Sequence, residues 1–129
     1  MRLWLILLAL LAAMPAPAEE PLWHEAPEYD VLMRPFDYEP STIRLTAGRP
    51  VKLRFINQGQ ATFSFSAESF FRASRVRAGD LEMVTDGHFE IAPGEQREIA
   101  LIPAPGRYHA NSSNLIHRML GMSAEIIVE

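Results

Sequence analysis

The chain has 129 residues, 48% of them hydrophobic, with 16 acidic and 12 basic side chains and a formal net charge of −4. That balance offers no basic surface for nucleic acid, and the length supports one hydrophobic core rather than two. The absence of cysteine excludes thiolate metal ligands, thiol nucleophiles and disulfides together, so any domain here is held by packing alone.

Arg2 precedes an apolar run from Leu3 to Met14, and Ala16-Pro17-Ala18 supplies the small-x-small pattern of a signal-peptidase site. The run is shorter than the roughly 20 residues a membrane span needs, and no cysteine follows it to carry a lipid. Residues 1–18 are therefore expected to be a cleavable signal peptide. The mature protein is expected to start near Glu19, to be periplasmic and to carry no membrane anchor. The acidic, proline-containing residues 19–28 are expected to be flexible, and residues 29–129 to form one domain.

Period-2 alternation then recurs between turn signals. Thr42-Ile43-Arg44-Leu45-Thr46 alternates, Ala47-Gly48-Arg49-Pro50 turns, and Val51-Lys52-Leu53-Arg54-Phe55 alternates again. Phe63 and Phe65 share one face, with Thr62, Ser64 and Ser66 on the other. A short helix is expected over Ala67 to Arg72. Asp86-Gly87 turns into Phe89 and Ile91, Ala92-Pro93-Gly94-Glu95 into Ile99 and Leu101, and Pro105-Gly106 into Tyr108, before Ile126-Ile127-Val128 closes the chain. About seven or eight short strands with one short helix predict an all-β Greek-key sandwich. Arg72, Arg75 and Arg77 follow Phe70-Phe71 and read either as a docking patch or as the wet face of a helix that buries its aromatics.

In this order the motifs resemble the cupredoxins, the blue-copper β-sandwich family. They run from Phe36 to Pro40, through Ile43-x-Leu45-x-Ala47-Gly48-x-Pro50-Val51 to Asn57, then Ala92-Pro93-Gly94-Glu95 and Pro105-Gly106-x-Tyr108. His117 with Gly121-Met122 completes the set. The Phe70-Phe71 pair and the Ala-Pro-Gly-Glu turn look most like the EfeO-type cupredoxin-like domains of periplasmic metal-uptake systems.

The resemblance implies a copper site of two histidines, a cysteine and a weak axial methionine. Carried over residue by residue, the cysteine falls on Ser112, the first histidine on Phe63, the second on His117 and the methionine on Met122. The ligands are thus only partly retained. A serine hydroxyl does not replace a thiolate, so blue-copper electron transfer is the least favoured role. Imidazole and thioether suit Cu(I), and His117 with Met122, joined by Met119 if the loop winds helically, would make a weak soft-metal site. Alternatively, Met119 and Met122 plug the end of the sandwich.

Three other histidines, His24, His88 and His109, read as solvent-exposed, with His88 the one that follows a turn between strands able to reach His117's end of the sandwich. No nucleophile elbow or orienting acid accompanies Ser112, so the chain is not expected to be an enzyme. The leading expectation is a periplasmic accessory in copper or iron handling that works with a periplasmic or membrane metal-transport component. The alternative is a metal-free interaction module on the same fold.

Overall fold

The computed structural model describes residues 20–129, so the expected signal peptide lies outside the described residues. Trp23–Glu25 forms a single 3-10 turn. Lys52 N–H donates to the Pro27 carbonyl at 2.9 Å, and the Lys52 ammonium reaches the His24 carbonyl at 3.3 Å, which connects this entry segment to the sandwich.

The strands are β1 (Glu28–Arg34), β2 (Asp37–Glu39), β3 (Thr42–Leu45), β4 (Val51–Asn57), β5 (Phe63–Ser66), β6 (Arg75–Val76), β7 (His88–Ile91), β8 (Gln96–Ile102), β9 (Gly106–Asn111) and β10 (Ser123–Val128). Helices α1 (Glu68–Ala73), α2 (Leu81–Val84) and α3 (Leu115–Met119) are short. One sheet has the order β2-β1-β4-β8-β6 and the other β3-β10-β9-β5-β7. Within them β1 runs parallel to β4 and β3 parallel to β10, while the remaining pairs are antiparallel.

The all-β sandwich expected from the alternation is therefore present. Its strand count is raised by β2 and β6, which are too short to leave a period-2 signal. The helix expected at Ala67 to Arg72 appears as α1, with Phe70 and Phe71 buried beneath it. Its basic neighbours are divided by ion pairs: Arg72 bonds Glu68 within the helix, and Arg77 donates to Asp80 at 2.9 Å and to Glu98 at 3.3 Å.

Alternation puts Val51, Leu53 and Phe55 of β4 inside, facing Phe65, Phe89 and Ile91 of the second sheet. Aromatic rings fill the gap between the layers. Phe55 and Phe65 lie 4.7 Å apart between centroids, Phe55 and Phe89 4.9 Å, and Tyr38 and Phe65 5.3 Å. Edge-on and tilted rings at these separations add to the area they bury. Outside, Arg54 of β4 donates to both carboxylate oxygens of Asp30 on β1, at 2.8 and 2.9 Å. This bond is the main reason the Asp30 carboxyl sits below its ordinary pKa.

Tyr38 crosses between the sheets. It is 1% exposed, its hydroxyl donates to the Ser64 carbonyl of β5, and burial pushes its phenol above the ordinary value. Tyr38→Phe keeps the ring and removes this bond. A loss of about 1–2 kcal/mol is expected, measured as a lower urea midpoint at unchanged slope; an unchanged midpoint would mean that the bond adds nothing to stability.

Candidate functional site

Asn57, at the end of β4, prepares one wall of the site. It is 2% exposed, and its side-chain amide donates to the Ala61 carbonyl at 2.8 Å and the Ile91 carbonyl at 2.9 Å while its oxygen accepts the Gly59 N–H at 2.8 Å. The loop from Asn57 to β5 is thereby pulled onto β7. A Cβ on Gly59 would lie 2.4 Å from a ring carbon of Phe63, so only glycine allows that approach. Phe63, at the start of β5, is 2% exposed as a result.

The opposite wall is the segment between β9 and β10. Asn114 caps α3, its side-chain oxygen accepting the His117 N–H at 3.1 Å. Met122 N–H donates to the His117 carbonyl and Ser112 N–H to the Met122 carbonyl, each at 3.1 Å. These bonds close the segment into a loop that holds Ser112, His117 and Met122 at one end of the sandwich. Phe63 meets it there, its ring 5.4 Å from the His117 imidazole and nearly edge-on. Phe36, in the turn between β1 and β2, approaches the same imidazole at 6.3 Å.

All four positions carried over from the family pattern, Phe63, Ser112, His117 and Met122, thus belong to one neighbourhood. Ser112 and Met122 are both 0% exposed. Met119 departs from them: the loop winds helically, but its side chain is 77% exposed on the outer side of α3. The other histidines lie elsewhere. His88 pairs with Ser66, at the end of β7 away from Ile91 and Phe63. His109 pairs with Glu125 on the solvent side of β9, and His24 is exposed in the entry turn.

The serine cluster beside the loop was not singled out by sequence reasoning. Ser64 Oγ lies 3.0 Å from Ser112 Oγ and accepts the Ser113 N–H at 2.7 Å and the Ser113 hydroxyl at 2.8 Å. Ser112 Oγ also accepts the Asn114 N–H at 3.1 Å. The alternation in Phe-Ser-Phe-Ser points Ser64 outward to solvent, yet it is 4% exposed because the segment after β9 folds over it. No local sequence signal marks that contact.

Around His117 the surface is apolar. A recess of 280 Å³ is lined by Pro35, Phe36, Gln60, Ala61, Phe63 and His117. A larger and shallower recess of 480 Å³ involves Thr42, Arg107, His109 and Glu125 on the outer face of the β3-β10-β9 sheet, and shares no residue with the loop site.

The model of the cupredoxin-like domain family matches residues 3–128. The chain belongs to that family. Among solved structures it is similar to auracyanin B, at 17% identity over 81% of this chain and 89% of that one, with a TM-score of 0.58. Auracyanin A, described as a "blue" copper protein from the green thermophilic photosynthetic bacterium Chloroflexus aurantiacus, gives 16% identity over 81% and 100%, with a TM-score of 0.56. A multicopper oxidase from Campylobacter jejuni, described as a metallo-oxidase, gives 12% identity over 89% of this chain but 31% of the oxidase, with a TM-score of 0.61. Likenesses at this identity establish the cupredoxin-like fold. A search of curated proteins returns no match.

Copper of the blue type does not fit the residues present. The chain has no cysteine, a hydrocarbon ring, Phe63, stands where the resemblance puts one imidazole, and the Ser112 hydroxyl is bonded to its neighbours. Among the described residues, no three histidine or acidic side chains come together to hold an ion. What remains is one imidazole nitrogen, His117 Nδ1, which is buried without a hydrogen-bond partner among the described residues. The Met122 thioether is buried in the adjoining core. If the four positions correspond as assigned, Phe63→His combined with Ser112→Cys should give an intensely coloured protein on Cu(II) addition while the parent stays colourless. A folded, colourless double variant would refute the assignment.

Proposed function

We propose that this cupredoxin-like domain is a periplasmic accessory of copper or iron handling that acts as a metal-free interaction module, docking a periplasmic or membrane metal-transport component through its apolar end. One observation carries this reading. On α3 and the residue after it, Leu115, Ile116, Met119 and Leu120 are 57%, 67%, 77% and 54% exposed, and Phe36 beside them is 47% exposed. Helix α3 buries none of its residues. Single exposed apolar side chains are ordinary, whereas a contiguous group of this size on a small domain marks a surface that is covered in use.

Phe36 strengthens the case, because it occupies a turn position with φ of 66°. Glycine or asparagine takes this conformation with little cost, and an aromatic residue pays about 1 kcal/mol or more for it. Such strain, kept on a ring that is half in water, suits a contact residue better than a fold-stabilising one. The resemblance to EfeO-type domains and the signal-like residues 1–18 support the periplasmic metal-uptake setting. No catalytic role is included, since the hydroxyls at the loop are bonded to one another and to amides, with no carboxylate bonded to them among the described residues. Electron transfer would need a thiolate or its equivalent.

A second reading is favoured by the unpartnered His117 Nδ1: a weak Cu(I) site made by that nitrogen and the Met122 thioether, both soft enough for the ion. Exposed Met119 would serve as an entry donor rather than as part of a buried set.

Two measurements separate these readings. With a photo-crosslinking amino acid in place of Met119, the protein in its native envelope should give an adduct with a metal-transport component. Adding Ile116→Glu and Leu120→Glu should abolish that adduct while the melting temperature moves by no more than about 4 °C. An adduct insensitive to these charges, or none at all, would sink the docking reading. Anaerobic Cu(I) titration against a competing chelator should show no binding tighter than micromolar; tighter binding that His117→Ala removes would favour the second reading.

A further inference from the structure

The serine cluster has a fixed direction of hydrogen bonding. A hydroxyl owns one proton and two lone pairs. On Ser64 Oγ both lone pairs are taken by the Ser113 N–H and the Ser113 hydroxyl. The proton in the 3.0 Å contact between Ser64 and Ser112 therefore belongs to Ser64. Ser112 Oγ accepts it and also accepts the Asn114 N–H, so its own lone pairs are filled as well. That leaves the Ser112 proton, on a residue 0% exposed, with no acceptor among the described residues.

On the same closed loop His117 Nδ1 is buried with no hydrogen-bond partner among the described residues, and in the Nε2–H tautomer it presents the complementary deficiency, a lone pair with no donor. A buried donor or acceptor left unpaired costs about 1–3 kcal/mol. The two groups do not bond each other directly. A molecule that accepts from one and donates to the other satisfies both, and water with two such partners meets the minimum for a stable buried site.

We infer that the loop position corresponding to the family's metal is here a binding site for one water molecule, which accepts the Ser112 hydroxyl proton and donates to His117 Nδ1. Ser112 is then more than a lost ligand. With both lone pairs engaged it has none for a cation, and it turns the positive end of its O–H dipole toward the place an ion would occupy. The Ser64–Ser112–Ser113 cluster thus inverts the polarity of the site, and neutral donor–acceptor chemistry takes the place of coordination. The inference extends beyond the docking reading and stands whether or not a partner binds at the apolar end.

Crystals of the protein grown with and without Ag(I), a redox-inert stand-in for Cu(I), test it. Both should show one ordered water within about 3.2 Å of Ser112 Oγ and His117 Nδ1, with no anomalous silver signal at the loop. Silver on His117 Nδ1, or a direct Ser112–His117 bond with no intervening water, would overturn the inference. In solution, two-bond nitrogen–proton spectra should show His117 as the Nε2–H tautomer with Nδ1 in the range of a hydrogen-bonded imine. Ser112→Ala should move that resonance toward the free-imine position, and an unmoved resonance counts against the bridge. The crystallographic arm uses the parent protein alone, so it holds even if the variant fails to fold.

Discussion

Between β5 and β9 the backbone ladder consists of the single register pair Ser66 with Asn111. Past that pair, the two strands are joined by one side-chain oxygen, Ser64 Oγ, through its contacts with Ser112 and Ser113. The segment between β9 and β10 is fastened to β5 by this junction. If the segment were free to lift, Phe63 would lose the imidazole it packs against, and Met122 would lose the cover that keeps it out of water. The Tyr38 hydroxyl supports the junction from the other sheet by bonding the carbonyl of the same serine. Ser64 is thus restrained through its backbone from one layer while it restrains the loop through its side chain.

The same arrangement leaves the apolar side chains of α3 outside. Asn114 caps the helix while Ser112 and Ser113 engage Ser64. The backbone of so short a helix is satisfied by the Asn114 cap and by Leu120 N–H, which donates to the Ile116 and His117 carbonyls. Its leucine, isoleucine and methionine side chains therefore contribute little to folding, because they bury nothing. A helix this short has no intrinsic stability in water. Its amino-acid content is thus free to be set by what the surface meets, and fold and site can vary separately.

The sandwich was legible because its central strands alternate cleanly. Val51, Leu53 and Phe55 face inward while Lys52 and Arg54 face outward, which specifies register and side in one pattern. The positions Phe63, Ser112, His117 and Met122 could be named from the sequence for a different reason: turn motifs on both sides anchor the count, and the fold brings the four to one end of the sandwich. Ser64 was not legible. Its role depends on contacts 48 and 49 residues away, and a serine on the polar side of an alternating strand looks solvated unless something folds over it. Met119 failed for a related reason. Helical winding was foreseen as the condition for its joining His117, but the outward direction of its side chain is set by how α3 sits on the sandwich, which spacing alone does not determine.

At Phe63 and Ser112, the positions that the resemblance sets against an imidazole and a thiolate, the volume and the acceptor capacity are both filled. The phenyl ring is 2% exposed and in edge contact with His117, and the Ser112 oxygen accepts both an amide and a hydroxyl proton. The two substitutions are complementary, since one supplies apolar volume and the other supplies acceptor capacity. Among the described residues the remaining imbalance lies in the Ser112 proton and His117 Nδ1, each without a hydrogen-bond partner. Together they leave a neutral interior in which the Ser112 oxygen offers no free lone pair. The His117 ring closes the recess between Phe36 and Phe63 and joins the buried loop to the apolar surface outside it.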